Sequence, residues 1–194
     1  MPALMRGEVF SSEISVSDAE LSARIGRSVT SSDADVSRAI KDILAVSNMR
    51  FVAARVKILS SCDGVSRLEC FSVESAALSK YFEGSGETFM FMITLGAEAD
   101  RLIAKKRALS ITDGFLYDAV ASAIIESAAD IAEKKISGEE KTKNRFSPGY
   151  ADCPLALQRD FMSVLSADKY IGIKLLDSLL MVPTKSVSAF VTII

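Results

Sequence analysis

The run TFMFMITLG, Thr88 to Gly96, is apolar at almost every position. A strand with one wet face alternates apolar and polar residues, so an unbroken run predicts a strand covered on both faces. Gly96 then opens a helical stretch, AEADRLIAKKRAL, acidic at its start and basic at its end. That order complements the helix dipole. On the other side of the strand, EGSGE reads as a turn closing a short helix around Ala76 to Phe82. Further upstream the period is two. From Arg50 to Leu59, residues Val52, Ala54, Val56 and Ile58 share one face, while Arg55 and Lys57 point the other way. The SCDG turn then leads into RLECFSV, Arg67 to Val73, which reads as a second strand.

The flanks are mostly helical. Glu8 to Ser12 reads as a short strand or an arm. Ser17 and Asp18 start a short helix ending near Gly26. Thr30 to Asp33, TSSD, caps a helix with apolar residues at Val36, Ala39, Ile40, Ile43 and Leu44. The longest helix spans about Thr112 to Ile136, with a stripe of Leu116, Val120, Ala123, Ile124, Ala128 and Ile131. A polar linker, Ser137 to Asn144, follows. Pro154 is placed to begin a further helix reaching about Leu165. The tail LLDSLLMVPTKSVSAFVTII predicts two strands joined at PTKS. A strand count near five among five or six helices predicts α+β with an antiparallel or mixed sheet.

Composition removes several function classes. The formal net charge is −2, so no basic field points to nucleic acid. No apolar run is long enough to span a membrane, and MPALMRGEVF lacks the apolar centre of a signal peptide. The expectation is a soluble cytoplasmic protein. Histidine is absent, which excludes a Ser-His-Asp triad, a His-ligated metal and an imidazole ligand to a cobalt corrinoid. Cys62, Cys70 and Cys153 lack CxxC spacing and suit free thiols in a reducing compartment.

The densest group of geometrically special residues is NRFSPGYADCP, Asn144 to Pro154. Arg145 supplies a permanent planar cation with donors arranged for a carboxylate or phosphate. Pro148 and Gly149 predict a tight turn whose glycine lets a ligand approach the backbone. Tyr150 adds a flat face and a hydroxyl. These features suit a small zwitterion bearing a flat ring. A structural turn whose arginine pairs with a surface carboxylate fits the same residues. Glu126 and Asp130, four apart on the long helix, read either as a solvated face or as an acid–base or metal pair. Cys153 reads as a packed small residue beside Pro154 rather than a nucleophile. Lys105 to Arg107, KKR, reads as a solvated helix end or as a contact for an acidic partner. Met90 and Met92 read as core. Ser186 and Ser188 either carry hydroxyls into a cleft or alternate along a strand.

RFSPGYADCP resembles the Arg-x-x-x-Gly-Tyr-x-x-Cys-Pro signature of the activation domain of cobalamin-dependent methionine synthase. IGIKLLDSLLMVPTKSVSAF, ITLGAEAD and the helix containing IIESAAD are similar to further segments of that family. The likeness covers roughly Phe89 to Val191. It is weak over residues 1–88, which are expected to form part of the same domain, with residues 89–194 as the S-adenosylmethionine-binding core. The resemblance implies a single domain with a curved, mostly antiparallel sheet flanked by helices. It implies that Arg145 binds the methionine carboxylate of S-adenosylmethionine. Tyr150 and the backbone of Phe146, Ser147, Pro148 and Gly149 would line the site, and Glu126 would contact the ligand from its helix. An acidic N-terminal contact is left open among Glu8, Glu13 and Asp18.

By resemblance, the ligand's methyl group is presented to a cobalamin held by a partner chain. That partner is a corrinoid-binding methionine synthase core or a related methyltransferase, with flavodoxin or another reductase as electron donor. The chain ends soon after SVSAFVTII, and is similar to shortened, free-standing relatives of the domain. The expected function is reductive methylation of cob(II)alamin to reactivate the partner. A sensor or docking protein that binds S-adenosylmethionine without methyl transfer is the alternative.

Overall fold

The computed structural model describes residues 2–194. The run at its centre forms a strand, Glu87–Thr94 (β5), buried along nearly its whole length. It pairs antiparallel with Arg50–Cys62 (β2) on one side and Ser186–Thr192 (β8) on the other. Leu4–Glu8 (β1) pairs with the first half of β2, while Val65–Leu68 (β3) and Ser72–Glu74 (β4) extend the sheet from the second half. Every pairing is antiparallel. A separate two-stranded ribbon joins Lys174–Leu175 (β6) to Met181–Val182 (β7).

The alternation of side chains explains the unbroken apolar run. Phe89, Phe91 and Ile93 point into one core, and Met90 and Met92 point into another. β2 divides the same way, with Phe51 and Ala53 on the first side and Val52, Ala54 and Val56 on the second. The first side is covered by Asp18–Ile25 (α1), Ala34–Val46 (α2), Ala97–Leu109 (α4) and Ile111–Ser137 (α5). The second is covered by Ala76–Phe82 (α3), Gln158–Leu165 (α6) and Ala167–Ile171 (α7). The fold is therefore α+β, with a curled antiparallel sheet between two helical layers.

Helix ends follow local chemistry. Ser17, Ser75 and Ser110 each accept a backbone N–H of the first turn of α1, α3 and α5. Gly26 closes α1 in the left-handed conformation at φ 78°. Asp63 and Gly64, both at positive φ, form the tight turn between β2 and β3 that SCDG predicts.

Four expectations change. The first strand is Leu4–Glu8, and Ser11–Glu13 is a single 3₁₀ turn. RLECFSV is a hairpin, because Leu68 N–H bonds to the Phe71 carbonyl at 2.9 Å and folds the run at Glu69–Cys70. Pro154 precedes a 3₁₀ turn, Leu155–Leu157, and has an extended ψ of 133°, so the α-helix begins only at Gln158. The tail holds three strands, since residues before PTKS pair locally as β6 with β7 and only β8 joins the main sheet. These short ribbons raise the strand count above the expected five.

Candidate functional site

The polar segment after α5 runs along the free edge of β8. Phe146 and Phe190 exchange backbone hydrogen bonds of 3.0 and 2.8 Å, and Lys143 N–H bonds to the Thr192 carbonyl at 2.8 Å. The segment thus behaves as an irregular extra strand, and its side chains alternate. Phe146 points into the second core, 5.1 Å from the Tyr81 ring. Arg145, its neighbour, points to the opposite side, onto α5.

There it meets a ladder of carboxylates. Glu126, Asp130 and Glu133 lie one turn apart on α5, as the helical period requires. Arg145 Nη2 donates to Glu126 at 2.9 Å, and Nη1 donates to Asp130 and to Glu133 at 3.3 Å. The guanidinium side chain is only 19% exposed. Its burial alone would lower its pKa, but Asp130, Glu126 and Glu133 together raise it further. Glu126 also faces Arg24 of α1 at 3.7 Å, and Arg24 pairs with Glu20.

Two cavities of about 390 Å³ share Glu126, Asp130 and Arg145 as lining. One opens between α1 and α5 and is bounded by Ser15, Val16, Ser17, Glu20, Arg24, Ala123 and Ser127. The other opens toward Glu133, Asn144 and Ser147. Around the shared wall stand four carboxylates, Glu20, Glu126, Asp130 and Glu133, and two guanidiniums, Arg24 and Arg145. The formal surplus is two negative charges. Lys185, only 12% exposed, continues the polar stripe along α5 by donating to Ser122 at 2.8 Å and pairing with Asp118 at 3.0 Å.

The rest of the loop is a braced turn. Gly149 has φ 86°, and an added Cβ there would lie 3.2 Å from Leu155 Cδ1. Its N–H bonds to the Cys153 carbonyl, and Cys153 N–H bonds back to the Tyr150 carbonyl, each at 3.0 Å. Pro148 is buried. Tyr150 is 67% exposed and meets Phe146 edge-on at 5.5 Å. Asp152 ties the turn to α3, accepting from Ser75 Oγ at 2.6 Å and from the N–H groups of Ala76 and Ala77. These bonds hold its carboxyl below the ordinary 3.8. Cys153 is buried, and burial pushes its thiol up, which suits packing and not nucleophilic attack.

The structure brings Glu126, Arg145 and Ser147 to one cavity wall. Tyr150 and Gly149 lie at the exposed tip of the same loop, and the Phe146 side chain is core. Glu8, Glu13 and Asp18 do not line the two cavities; Glu13 pairs with Lys135, and Asp18 accepts from Ser31 N–H. The N-terminal acid that does is Glu20, with Arg24 beside it. Their spacing of four on α1 was the only sequence signal for them. Ser186 bonds to Thr94 and the Pro183 carbonyl, and Ser188 is buried in the sheet. Within KKR, Lys106 pairs with Asp42 and Arg107 with Asp118, so only Lys105 is left without a carboxylate partner. Among the described residues no cluster of His, Cys, Asp or Glu is arranged to hold a metal ion, and no helix is long and apolar enough to cross a membrane.

Comparison with known proteins agrees with this architecture. Residues 78–193, more than half of the chain, match the family described as vitamin B12 dependent methionine synthase, activation domain. Among solved structures, the chain is similar to the crystal structure of the MetH reactivation domain bound to AdoHcy, with a TM-score of 0.72 and 15% identity. That alignment covers 98% of this chain and 78% of the other. No curated protein matches the chain.

Proposed function

The chain belongs to the activation-domain family of vitamin B12 dependent methionine synthase, and from that premise we propose that it binds S-adenosylmethionine between α1, α5 and the Arg145 loop. The observation that carries the reading is the charged wall of Arg145 and Glu126, whose carboxylate surplus complements a ligand with a net positive charge. S-adenosylmethionine bears a sulfonium, an ammonium and one carboxylate. Its carboxylate takes an Arg145 edge, displacing the bond to exposed Asp130, while Glu126 and Glu20 face the ammonium and sulfonium. Ala123 leaves room beside Glu126. Tyr150 offers its open ring face to the adenine, and the backbone of Phe146 to Gly149 supplies polar contacts.

A corrinoid held outside this fold by a methionine synthase core or a related methyltransferase would be the methyl acceptor, with one electron from a reductase such as flavodoxin. This chain orients the sulfonium so that its methyl group faces outward. Methyl transfer from an activated sulfonium needs no proton removed, so the lack of histidine is compatible with the task. The function proposed is reactivation of that partner, in the cytoplasm.

The direct test mixes the protein with S-adenosylmethionine, a cob(II)alamin-loaded methionine synthase core and a reductant. The methylcobalamin absorption spectrum should appear only when this chain is present. Tight ligand binding with no spectral change would replace reactivation with a sensing role.

A further inference from the structure

Arg50 stands out in the charge pairing of the molecule. Among the described residues five arginines form no ion pair with a carboxylate: Arg6, Arg27, Arg50, Arg67 and Arg159. Four of them are exposed and solvated, whereas Arg50 is half-buried. Its Nη2 reaches the Ile171 carbonyl only at 3.4 Å, and its Nε is buried without any partner. The strand register sets Glu8 opposite Arg50, yet the two make no ion pair. A half-buried guanidinium in this condition carries a desolvation cost that a bound anion would offset.

The surroundings form a receptacle. β1, the start of β2 and the end of α7 enclose a cleft of about 510 Å³, lined in part by Arg6, Arg50, Tyr170 and the Gly7–Glu8 edge. That volume is in the range of small-molecule sites. The Arg6 guanidinium carbon stands 4.7 Å from the centre of the Tyr170 ring, and Lys169 Nζ stands 5.2 Å from the same ring. Two guanidiniums, Arg6 and Arg50, therefore line the cleft against one carboxylate, Glu8, which pairs with neither, and Lys169 stands beside Tyr170 outside the lining. The sign is opposite to that of the α5 cleft. The face is also opposite. Arg6 is registered with Val52 and Glu8 with Arg50, and paired residues point the same way, toward the core under α6 and α7.

We propose that the Arg6–Arg50–Tyr170 cleft is a second ligand site, one that binds the phosphate group of a small phosphorylated molecule. A dianion matches the two lining guanidiniums, neither of which has a carboxylate partner, where a single carboxylate would leave one of them unpaired. The guanidinium of Arg50 presents a fork to the oxygens, and Arg6, over the Tyr170 ring, supplies the second set of donors.

Thermal-shift titrations with inorganic phosphate and pyrophosphate, against acetate and chloride at matched ionic strength, test this. A saturable rise in Tm is expected with the phosphates and not with the controls. Arg6→Gln and Arg50→Gln should each weaken it about tenfold or more, the scale of one lost charged hydrogen bond, and Arg145→Gln should leave it in place. Arg6 is exposed, so Arg6→Gln decides if Arg50→Gln fails to fold. No phosphate-specific rise, an equal rise with acetate, undiminished binding in Arg6→Gln, or loss in Arg145→Gln would each overturn the proposal.

Discussion

Arg145 is held by its own protein before any ligand arrives. Three carboxylates neutralise a mostly buried guanidinium, and the excess of acid around it should favour the more positive of two ligands. S-adenosylhomocysteine has the same carboxylate and ammonium but lacks the sulfonium charge. Calorimetry should therefore find S-adenosylmethionine bound more tightly by about 1 kcal/mol, since the cleft is open and the field partly screened. Raising the salt concentration should narrow the gap. Asp152 gives a second prediction. Its folded pKa lies below the ordinary 3.8, so its stabilising bonds to Ser75 and α3 are fully present above that value and fade as pH falls through the lowered one. Asp152→Asn should thus melt below wild type at neutral pH, and the difference in Tm should shrink toward zero in strong acid. Equal melting at neutral pH would remove Asp152 as the tie between loop and helix. Arg145 was singled out by a dense motif and Glu126 by its likeness to the family's helix, and the fold sets the two 2.9 Å apart on one cavity wall. Glu20 and Arg24 were not legible in the sequence, because what makes them matter is contact across the fold. Ser15, at the start of that segment, is bonded to Ser127, 112 residues away, and no local pattern encodes such a distance.

At the scale of elements, the irregular strand at the β8 edge explains how the loop works. Alternation sends Phe146 into one core and Arg145 to the other side, so packing of the aromatic ring fixes the direction of the cation. Phe146→Ala should cost about 3–5 kcal/mol in urea unfolding, as for other buried aromatic truncations. Where it still folds, it should also weaken ligand binding without touching the ligand. The α4–α5 corner is equally exacting. A Cβ on Gly114 would lie 2.6 Å from Arg107 Cα, which is backbone and cannot swing aside. Gly114→Ala should destabilise by about 1–3 kcal/mol, the usual cost of overpacking, measured by chemical denaturation. Long elements were readable from period alone, as α5 and β5 illustrate. Short ones were not. RLECFSV carries no glycine, proline or asparagine at its bend, so the hairpin at Glu69–Cys70 follows from pairing with β2 and not from turn chemistry.

For the molecule as a whole, one sheet with two dry faces separates two clefts of opposite charge. The α5 side gathers carboxylates, and the α7 side gathers unpaired cations. A continuous apolar run at Thr88–Gly96 implied the two-sided sheet, and both cores bear this out. What the run could not convey is which helices cover which face, since that is set by register and by the order of crossovers. α1 reaches across to complete the first cleft, so the N-terminal third should contribute to affinity. Arg24→Gln removes a cation 3.7 Å from Glu126 and raises the acid surplus, so calorimetry should find S-adenosylmethionine binding modestly strengthened, whereas Arg145→Gln should weaken it.

Arg145 is proposed to grip the carboxylate of a sulfonium amino acid within the α5 cleft. Isothermal titration of S-adenosylmethionine into wild type and Arg145→Gln tests it most directly. Wild type should show saturable one-to-one binding, and the variant should lose about 2–5 kcal/mol, the penalty for removing one partner of a desolvated charge pair. Equal affinity in the two proteins, or no binding heat in wild type at any temperature tried, would contradict it.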